Sequence, residues 1–365
     1  MNLSFWKDRS VLLTGHTGFK GAWTAFLLDW LGARVTGVAL EPTSEQPLLS
    51  KFHLEERIDH HVSDILNRDR LAAIVTKAEP DVVIHMAAQS LVRESYQSPV
   101  ETFETNVIGT ANLLNCLRNQ KNEKSLAVVV VTSDKCYQNN ELGIPFLETD
   151  SLGGRDPYST SKACTELLVQ SYRDSFFSMN DCVISVATGR AGNVIGGGDG
   201  SRDRLIPDAM RAFSGGRILH LRNPSSVRPW QHVLEPISGY LTLAEHLHAK
   251  GNRFDGGWNF GPAEESTVTV GEVVTKMADL YGEGAGFASV DFENQPHEAT
   301  LLRLDITKAE EELNWKPRWS LDVALAKTVH WFKRDLEGAD MQRVTRDQIS
   351  EYLKAASLGN KDREN

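Results

Sequence analysis

The sequence has few cysteines, and none of them has the spacing of a metal or redox motif. Its 365 residues include four, at Cys116, Cys136, Cys164 and Cys182, with no Cys-x-x-Cys pair. Thiols scattered in this way are typical of reduced residues that pack as small apolar groups. We therefore expect neither a disulfide nor a zinc site.

Long apolar runs are also missing. No stretch reaches the roughly 18–20 apolar residues that span a bilayer, and the first ten residues, MNLSFWKDRS, lack the pattern of a signal peptide. Together with the reduced cysteines, this favours a cytoplasmic protein that is neither secreted nor inserted in a membrane.

Positive charge is in deficit, since the formal net charge is −10 at pH 7. Nucleic acids and anionic membranes need clustered positive charge on their partners, so we expect neither as a partner. The eleven histidines include no metal-ligand spacing such as H-E-x-x-H, and we expect no metal. His60–His61 and EHLH at 245–248 are interpreted as solvated helix faces.

The first half of the chain alternates β-branched apolar runs with longer helical patterns. Predicted strands cover 10–15, 33–40, 80–88, 125–133 and 181–189, and predicted helices cover 21–32, 69–78, 100–119 and 158–176. This alternation is typical of right-handed βαβ units, whose parallel sheet is covered by helices on both faces. We predict an α/β fold with a doubly wound, Rossmann-type parallel sheet and a smaller C-terminal α/β lobe for the substrate.

A glycine-rich turn, VLLTGHTGFKG, follows the first predicted strand. Gly15, Gly18 and Gly21 permit a tight turn and a close backbone approach, so that amides at the start of the next helix can bind a pyrophosphate. An ordinary strand-to-helix connection is the alternative. No arginine occurs from Thr36 to Pro42 and Glu41 is the only acid there, which favours NAD over NADP.

Two further motifs are expected at the same edge of the sheet. Tyr158 and Lys162 of YSTSK share one helix face, where an ammonium can lower the pKa of a tyrosine that acts as a base. Such a pair often arises by chance, so its value as evidence depends on the other motifs that accompany it. TSDKCY at 132–137 ends the fourth predicted strand and places Asp134 beside Lys135; a plain turn cap is the alternative.

These motifs together resemble the nucleotide-sugar 4,6-dehydratases of the extended short-chain dehydrogenase/reductase family. The resemblance runs from about residue 6 to residue 335, with the family's order and approximate spacing. It is carried by TGHTGFKG, HMAAQS, ETNVIGTANLL, TSDKCY, YSTSK, GRAGNVIGGGD, RPWQHV and KAEEELNWKP.

The resemblance implies a role for each catalytic candidate. Tyr158 would take the proton of the sugar 4-hydroxyl while hydride passes from C4 to NAD, with Lys162 holding the tyrosinate and Ser133 bonded to the 4-oxygen. Asp134 would protonate the departing 6-hydroxyl, and Lys135 would remove the C5 proton. Lys135 stands where dTDP- and GDP-sugar dehydratases usually have glutamate, so it must be neutral to act as a base. Hydride returns to C6, and the net reaction is loss of water.

The resemblance also implies the binding residues. Those for the cofactor NAD, besides Tyr158 and Lys162, are Gly15, His16, Gly18, Phe19, Lys20, Gly21, Asp64, Ile65, Ala87, Ala88 and Asn106. Those for the nucleotide sugar are Gln89, Ser133, Asn193, Arg202, Arg204, Arg228 and Arg303. His16 and Lys20 replace the small and apolar residues usual at their positions, so they are expected to alter NAD affinity. The expected NAD-binding domain is 1–188 with 233–262, and the expected nucleotide-sugar lobe is 189–232 with 263–355.

Other functions remain open at this point. An epimerase or oxidoreductase on the same fold would share Tyr158 and Lys162 without needing an acid–base pair after Ser133. A non-catalytic NAD-binding sensor or scaffold would not need Tyr158, Lys162, Ser133 and Asp134 together. A dehydratase that inverts C5 of a UDP-N-acetylhexosamine is a nearer alternative. The helices at about 99–119 and 158–176 resemble the pair through which the family dimerises, so we expect a homodimer or a higher homo-oligomer.

Overall fold

The computed structural model describes residues 1–120, 124–139, 141, 143–178, 183–282, 284–290 and 302–358. Cys182 lies outside these ranges, whereas Cys116, Cys136 and Cys164 are free thiols. The strands are β1 Ser10–Thr14, β2 Arg34–Ala39, β3 Asp59–Val62, β4 Val82–His85, β5 Leu126–Val131, β6 Ile184–Ala191, β7 Asn193–Ile195, β8 Leu219–Leu221, β9 Val227–His232, β10 Gly256–Phe260, β11 Thr267–Thr269 and β12 Phe287–Ser289.

Seven of these strands form one parallel sheet in the order β10-β6-β5-β4-β1-β2-β3. The chain winds outward from β1 to β3 and then crosses back to β4, so the strand order reverses between β1 and β4. This arrangement confirms the predicted doubly wound sheet. Ligands of such folds bind at the carboxyl ends of the strands beside this reversal.

Helices cover both faces of the sheet and surround the smaller sheets. They are α1 Phe19–Trp30, α2 Leu48–Lys51, α3 Arg68–Ala78, α4 Val92–Gln97, α5 Pro99–Phe103, α6 Gly109–Arg118, α7 Pro157–Tyr172, α8 Leu205–Ser214, α9 Leu234–Lys250, α10 Val270–Tyr281, α11 Thr307–Glu312, α12 Leu321–Leu336 and α13 Met341–Leu358. The predicted helix at 100–119 is α5 and α6 joined by a π-helical turn, Glu104–Ile108. Among the described residues, no helix is both long and apolar enough to cross a membrane.

Strand β5 shows why both faces need helices. All six of its residues are buried. Ala127, Val129 and Val131 pack into the core that contains α1 and α9, whereas Leu126, Val128 and Val130 pack into the core that contains α3 and α6. Successive side chains of a strand point to opposite faces, so a strand covered on both faces requires a continuous apolar run.

The sequence pattern does not predict β3 or β10, the two edge strands of the large sheet. Strand β3 has the polar sequence DHHV and is only partly buried, because a single neighbouring strand pairs with it. The interpretation of His60–His61 as a helix face is therefore wrong. The 245–248 segment does lie on α9, but Glu245 and Leu247 are buried, so its face is not a solvated one.

The remaining strands form a second layer next to the carboxyl edge of the large sheet. Strands β7, β9 and β11 make a three-stranded sheet, and β8 pairs with β12. A third apolar core joins these strands to α8, α10 and α12. Within 233–262, α9 packs on β5 and β6, and β10 extends the large sheet.

The turn between β1 and α1 gives a stability prediction. A Cβ at Gly21 would lie 2.0 Å from the carbonyl oxygen of Gly15, whereas a Cβ at Gly18 would lie 3.4 Å from the same oxygen. We expect Gly21→Ala to lower the free energy of unfolding by about 1–3 kcal/mol, because the turn must shift to admit the methyl group. Gly18→Ala is the matched control and should cost less. Urea unfolding without added cofactor measures both, and equal losses would contradict the packing argument.

Candidate active site

A cavity of about 1070 Å³ lies at the carboxyl edge of the large sheet, between that edge and the second layer of strands. It receives the ends of β1, β4, β5 and β6 together with the start of α7. The sequence-predicted residues that line it are Gly15, Gly18, Phe19, Lys20, Gly21, Asp64, Ile65, Ala87, Ala88, Ser133, Asp134, Lys135, Tyr158, Asn193, Arg202, Arg204 and Arg228.

The glycine turn forms one wall of this cavity. Gly15 has φ +78°, and a Cβ there would lie 2.7 Å from the backbone nitrogen of Ala87, so only glycine fits at this position. Gly18 caps α1, and its amide donates to the carbonyl of Gly15. The amides of the first turn of α1 therefore open on the cavity, an arrangement that suits a dinucleotide pyrophosphate.

His16 and Asn106 do not line the cavity, although both are among the predicted cofactor-binding residues. His16 is fully buried, and its Nε2 lies 2.6 Å from Nδ1 of His60 on β3. The Asn106 amide accepts from the Gln89 backbone nitrogen and donates to the Ser161 hydroxyl. These contacts brace the strand ends behind the cavity.

The segment after β5 turns sharply into the cavity. Ser133 begins a short 3₁₀ turn, Asp134–Cys136, and its Oγ accepts from the Lys135 amide at 3.2 Å and donates to Asp134 Oδ1 at 3.0 Å. Asp134 is only 2% exposed, and its Oδ2 has no hydrogen-bond partner among the described residues. Burial raises the pKa of Asp134, which favours the neutral acid.

Tyr158 and Lys162 lie on the first two turns of α7, both buried, with Tyr158 facing the cavity. Lys162 Nζ donates to the carbonyl of Val131 at 3.3 Å. Burial raises the pKa of Tyr158 to about 12, and a hydrogen bond with Ser133 acts in the opposite direction. The pKa of Tyr158 is therefore raised and not lowered as expected, because desolvation of the phenol is the largest effect.

The pKa values of two lysines near Asp134 and Tyr158 are lowered. Burial lowers the pKa of Lys162 to about 8, and burial with the charge of Lys162 lowers the pKa of Lys20 to about 7. Lys20 Nζ lies 5.9 Å from the ring centroid of Tyr240. A low-dielectric enclosure with several cationic groups favours an anionic or polarised ligand.

Three of the predicted arginines line the cavity. Arg204 pairs with Asp199 at 3.1 Å and donates to the Ser90 hydroxyl, while Arg202 pairs with Glu45. Arg228 on β9 lies close enough to Asp134 to oppose the rise of its pKa. Planar guanidinium groups in this position can bind phosphate oxygens bidentately.

Two cavity-lining arginines were not predicted from the sequence. Arg93 on α4 and Arg222 after β8 both line the cavity, and both pair with Asp203, at 3.5 Å and 3.1 Å. The only sequence signal was position, since Arg93 follows HMAAQS and Arg222 precedes RPWQHV. Neither position alone distinguishes such a residue from a surface arginine.

Gln89 and Arg303 do not line the cavity, although both are predicted substrate contacts. The Gln89 amide is occupied by the Leu91 backbone and the Thr102 hydroxyl. The Arg303 guanidinium pairs with Glu264. Their predicted contacts with substrate therefore have no support from the geometry.

The doubly wound sheet, the glycine turn and the Ser-Asp-Lys turn beside a Tyr-x-x-x-Lys pair define an enzyme of the short-chain dehydrogenase/reductase type that acts on nucleotide sugars. The chain belongs to the GDP-mannose 4,6 dehydratase family, whose family model matches residues 12–328. The predicted membership of the nucleotide-sugar dehydratases is thereby confirmed.

Two curated relatives are 4,6-dehydratases of nucleotide sugars. The chain is 44% identical over 357 residues to the CDP-glucose 4,6-dehydratase of Salmonella typhimurium, and the alignment covers 97% of this chain and 99% of that protein. It is 25% identical to the dTDP-glucose 4,6-dehydratase of Shigella flexneri, covering 88% of this chain and 92% of that one.

Solved structures share the fold. An epimerase from Methanothermobacter thermautotrophicus superposes with a TM-score of 0.79 at 23% identity, covering 92% of this chain and 95% of that one. A Bacillus anthracis dTDP-glucose 4,6-dehydratase in complex with NAD superposes with a TM-score of 0.74 at 21% identity, covering 92% and 99%.

The buried Asp134 gives a stability prediction with a definite sign. Its folded pKa is raised above the ordinary 3.8, so the stability it contributes is complete below that value and is lost as pH rises through the folded pKa. Asp134→Asn cannot ionise. We therefore expect this variant to gain stability relative to the wild type as the pH rises above about 4.

Urea unfolding of both proteins at several pH values measures this difference. Asp279→Asn, on an exposed position of α10, is the control and should follow the wild type. A difference between Asp134→Asn and wild type that does not change with pH would show that Asp134 is not held neutral by burial.

Proposed function

We propose that this chain is an NAD-dependent CDP-glucose 4,6-dehydratase, a hydro-lyase that converts CDP-D-glucose to CDP-4-keto-6-deoxy-D-glucose. The observation that carries the chemistry is the buried Asp134 next to Lys135, at a cavity wall shared with Ser133 and Tyr158. The choice of CDP rests on the 44% identity to the Salmonella typhimurium enzyme across nearly the whole chain. The product would enter deoxysugar synthesis for surface polysaccharides.

In the first step, Tyr158 acts as the base. NAD, when bound, would supply the acceptor for the C4 hydride, its return to C6 and the positive charge of an oxidised nicotinamide. Such a charge would act against the desolvation that raises the pKa of Tyr158 to about 12. Tyr158 then removes the proton of the 4-hydroxyl, Ser133 holds the 4-oxygen and Lys162 supports the tyrosinate.

The second step is elimination across C5 and C6. Lys135, in its neutral form, takes the C5 proton, and the C5–H electron pair forms the C5–C6 double bond as the bond from C6 to oxygen breaks. Asp134 donates its proton to the departing hydroxyl, which leaves as water. Burial raises the pKa of Asp134 and so favours the protonated form that this step needs, which agrees with the proposed role.

The nucleotide sugar would be held by polar side chains that line the same cavity. We propose that Arg204 and Arg228, with Asn193, hold the diphosphate, and that the amides of the first turn of α1 hold the pyrophosphate of NAD. Asp64 and Ile65, at the adenine end by family resemblance, line the same cavity.

A sugar panel tests the proposal. The protein is incubated with NAD and with CDP-glucose, dTDP-glucose, GDP-mannose and UDP-glucose in turn, and product masses are recorded. We expect loss of one water from CDP-glucose and formation of a 4-keto product. Tyr158→Phe should bind NAD but lose nearly all turnover. An isomer of unchanged mass would indicate an epimerase, and dehydration of UDP-sugars with inverted C5 would indicate the C5-inverting alternative.

Lys135→Ala should separate oxidation from elimination. If Lys135 removes the C5 proton, this variant should still transfer hydride from C4, so enzyme-bound NADH and a 4-keto hexose accumulate while loss of water is blocked. Rapid-mixing absorbance of NADH and deuterium exchange at C5 measure the two steps. Lys276→Ala, on α10, is the control and should behave as wild type. Wild-type deuterium exchange in Lys135→Ala would assign the base to another group.

We also propose a homodimer, formed through α5, α6 and α7. Val100 on α5, Ile108 in the adjoining π-helical turn and Leu167 on α7 are 63%, 45% and 54% exposed. Large apolar side chains left exposed on adjacent helices favour a self-complementary helical interface.

Sedimentation tests this assembly. We expect the wild type to be a dimer at micromolar concentration, and Leu167→Glu to shift it toward monomer, because a charge would be buried in the interface. Leu336→Glu is the matched control, since Leu336 is 62% exposed on α12 and should leave the dimer intact. A monomeric wild type would contradict the proposal.

A further inference from the structure

A buried ion pair lies behind the cavity and has no role in the chemistry described above. Arg190 on β6 donates from Nη2 to Glu166 Oε2 on α7 at 2.7 Å, and their side chains are only 5% and 3% exposed. Neither residue lines the cavity. A buried ion pair is weak evidence for stability, because desolvation of the two charges offsets much of their attraction. Its other contacts therefore decide what it does.

Glu166 holds the beginning of the segment 132–137, which contains Asp134 and Lys135. Its Oε1 accepts from Thr132 Oγ1 at 2.5 Å, and its Oε2 also accepts from Thr188 Oγ1 at 2.7 Å. Thr132 immediately precedes Ser133 and follows the last residue of β5. The carboxylate thus fixes the point at which the chain leaves the sheet for the Asp134–Cys136 turn.

Arg190 holds the end of the same segment. Its Nη1 donates to the Tyr137 hydroxyl at 2.7 Å and to the Glu148 carbonyl at 3.0 Å. The Tyr137 hydroxyl in turn donates to Asn259 Oδ1 at 2.7 Å, and the ring stacks on Phe146 with centroids 4.7 Å apart. The residue that closes the segment is therefore anchored by its hydroxyl and by its ring.

We propose that the Glu166–Arg190 pair is a positioning unit for elimination, which sets Asp134 and Lys135 by fixing Thr132 before them and Tyr137 after them. The inference rests on the proposed dehydratase function and deepens it. The two reacting side chains stand on a one-turn 3₁₀ segment, which has little rigidity of its own. An acid and a base that act on neighbouring carbons must be held within a fraction of an ångström, and attachment at both ends supplies this precision.

The contacts also separate the two halves of the reaction. Glu166 follows Lys162 by one helical turn, and its charge opposes the loss of proton affinity at Lys162, so a change at Glu166 would disturb oxidation as well. Among the described residues, the hydrogen-bond partners of the Tyr137 hydroxyl are Arg190 and Asn259. Tyr137→Phe and Thr132→Val therefore test the positioning role without changing the charge of the pair.

The experiment compares two rates in each variant: NADH formation from CDP-glucose, and deuterium exchange at C5. In Tyr137→Phe and Thr132→Val we expect NADH formation within about twofold of wild type, an unchanged KM, and C5 exchange and product formation slowed by about ten- to a hundredfold. Thr132→Ser keeps the hydroxyl and should regain most of the elimination rate. Tyr172→Phe, which removes a tyrosine hydroxyl at the end of α7, should match the wild type.

The outcomes distinguish the possible failures. Wild-type elimination rates in Tyr137→Phe and Thr132→Val would overturn the positioning role while leaving the proposed function intact. Equal slowing of oxidation and elimination would also overturn it, because the pair would then support the fold in general. A wild-type protein that forms no dehydrated product from any sugar of the panel would overturn the proposed function and this inference with it.

Discussion

Parallel hydrogen bonding between β1, β4, β5 and β6 is the constraint on which the site depends. Strands paired in parallel all end at the same edge, so the residues that follow them come together although they are far apart along the chain. Gly15 follows β1, Ala87 follows β4 and Ser133 follows β5 at this edge. The reversal of strand order between β1 and β4 leaves the space there that α1 and α7 border.

Desolvation sets the protonation states at this edge. It raises the pKa of Asp134 and of Tyr158, and it lowers the pKa of Lys162 and of Lys20, so each group is shifted toward its neutral form. The neutral form of Asp134 suits its proposed role as a proton donor. The neutral form of Tyr158 does not suit its proposed role as a base, so the proposed activation includes the positive charge of an oxidised cofactor.

Anchoring across elements gives the catalytic turn its geometry. Thr132 and Tyr137 bracket Asp134 and Lys135, and each is attached to a partner on another element: Thr132 to α7 and Tyr137 to β6 and β10. Asn259 on β10 continues the network, since its side-chain amide donates to the carbonyls of Phe146 and Asp305. The large sheet and the segment around Asp305 are therefore joined through the same side chains that hold the turn.

Much of the fold could be predicted from the sequence because its signals are local. The VVVV run, the glycine spacing and YSTSK each report on a few consecutive residues whose backbone preferences and periodicity are set by their own chemistry, and the sheet follows from their alternation. Strands β3 and β10 could not be predicted, because polar or glycine-containing edge strands depend on a neighbour for their conformation.

The candidate catalytic residues could also be identified from sequence motifs. They are Ser133, Asp134, Lys135, Tyr158 and Lys162, and the tertiary structure brings them to one cavity wall or directly behind it. The hydrogen bonds and ion pairs between distant side chains could not be predicted from the sequence. Glu166 and Arg190 are 24 positions apart, and Tyr137 and Asn259 are 122 apart, so no local pattern joins them. The same holds for Arg93 and Arg222, which both pair with Asp203. The sequence by itself determined which groups the protein carries and the order of its strands and helices. Tertiary structure decided which groups are buried, which are paired and how they are held, because desolvation and hydrogen-bond geometry exist only once distant segments are in contact.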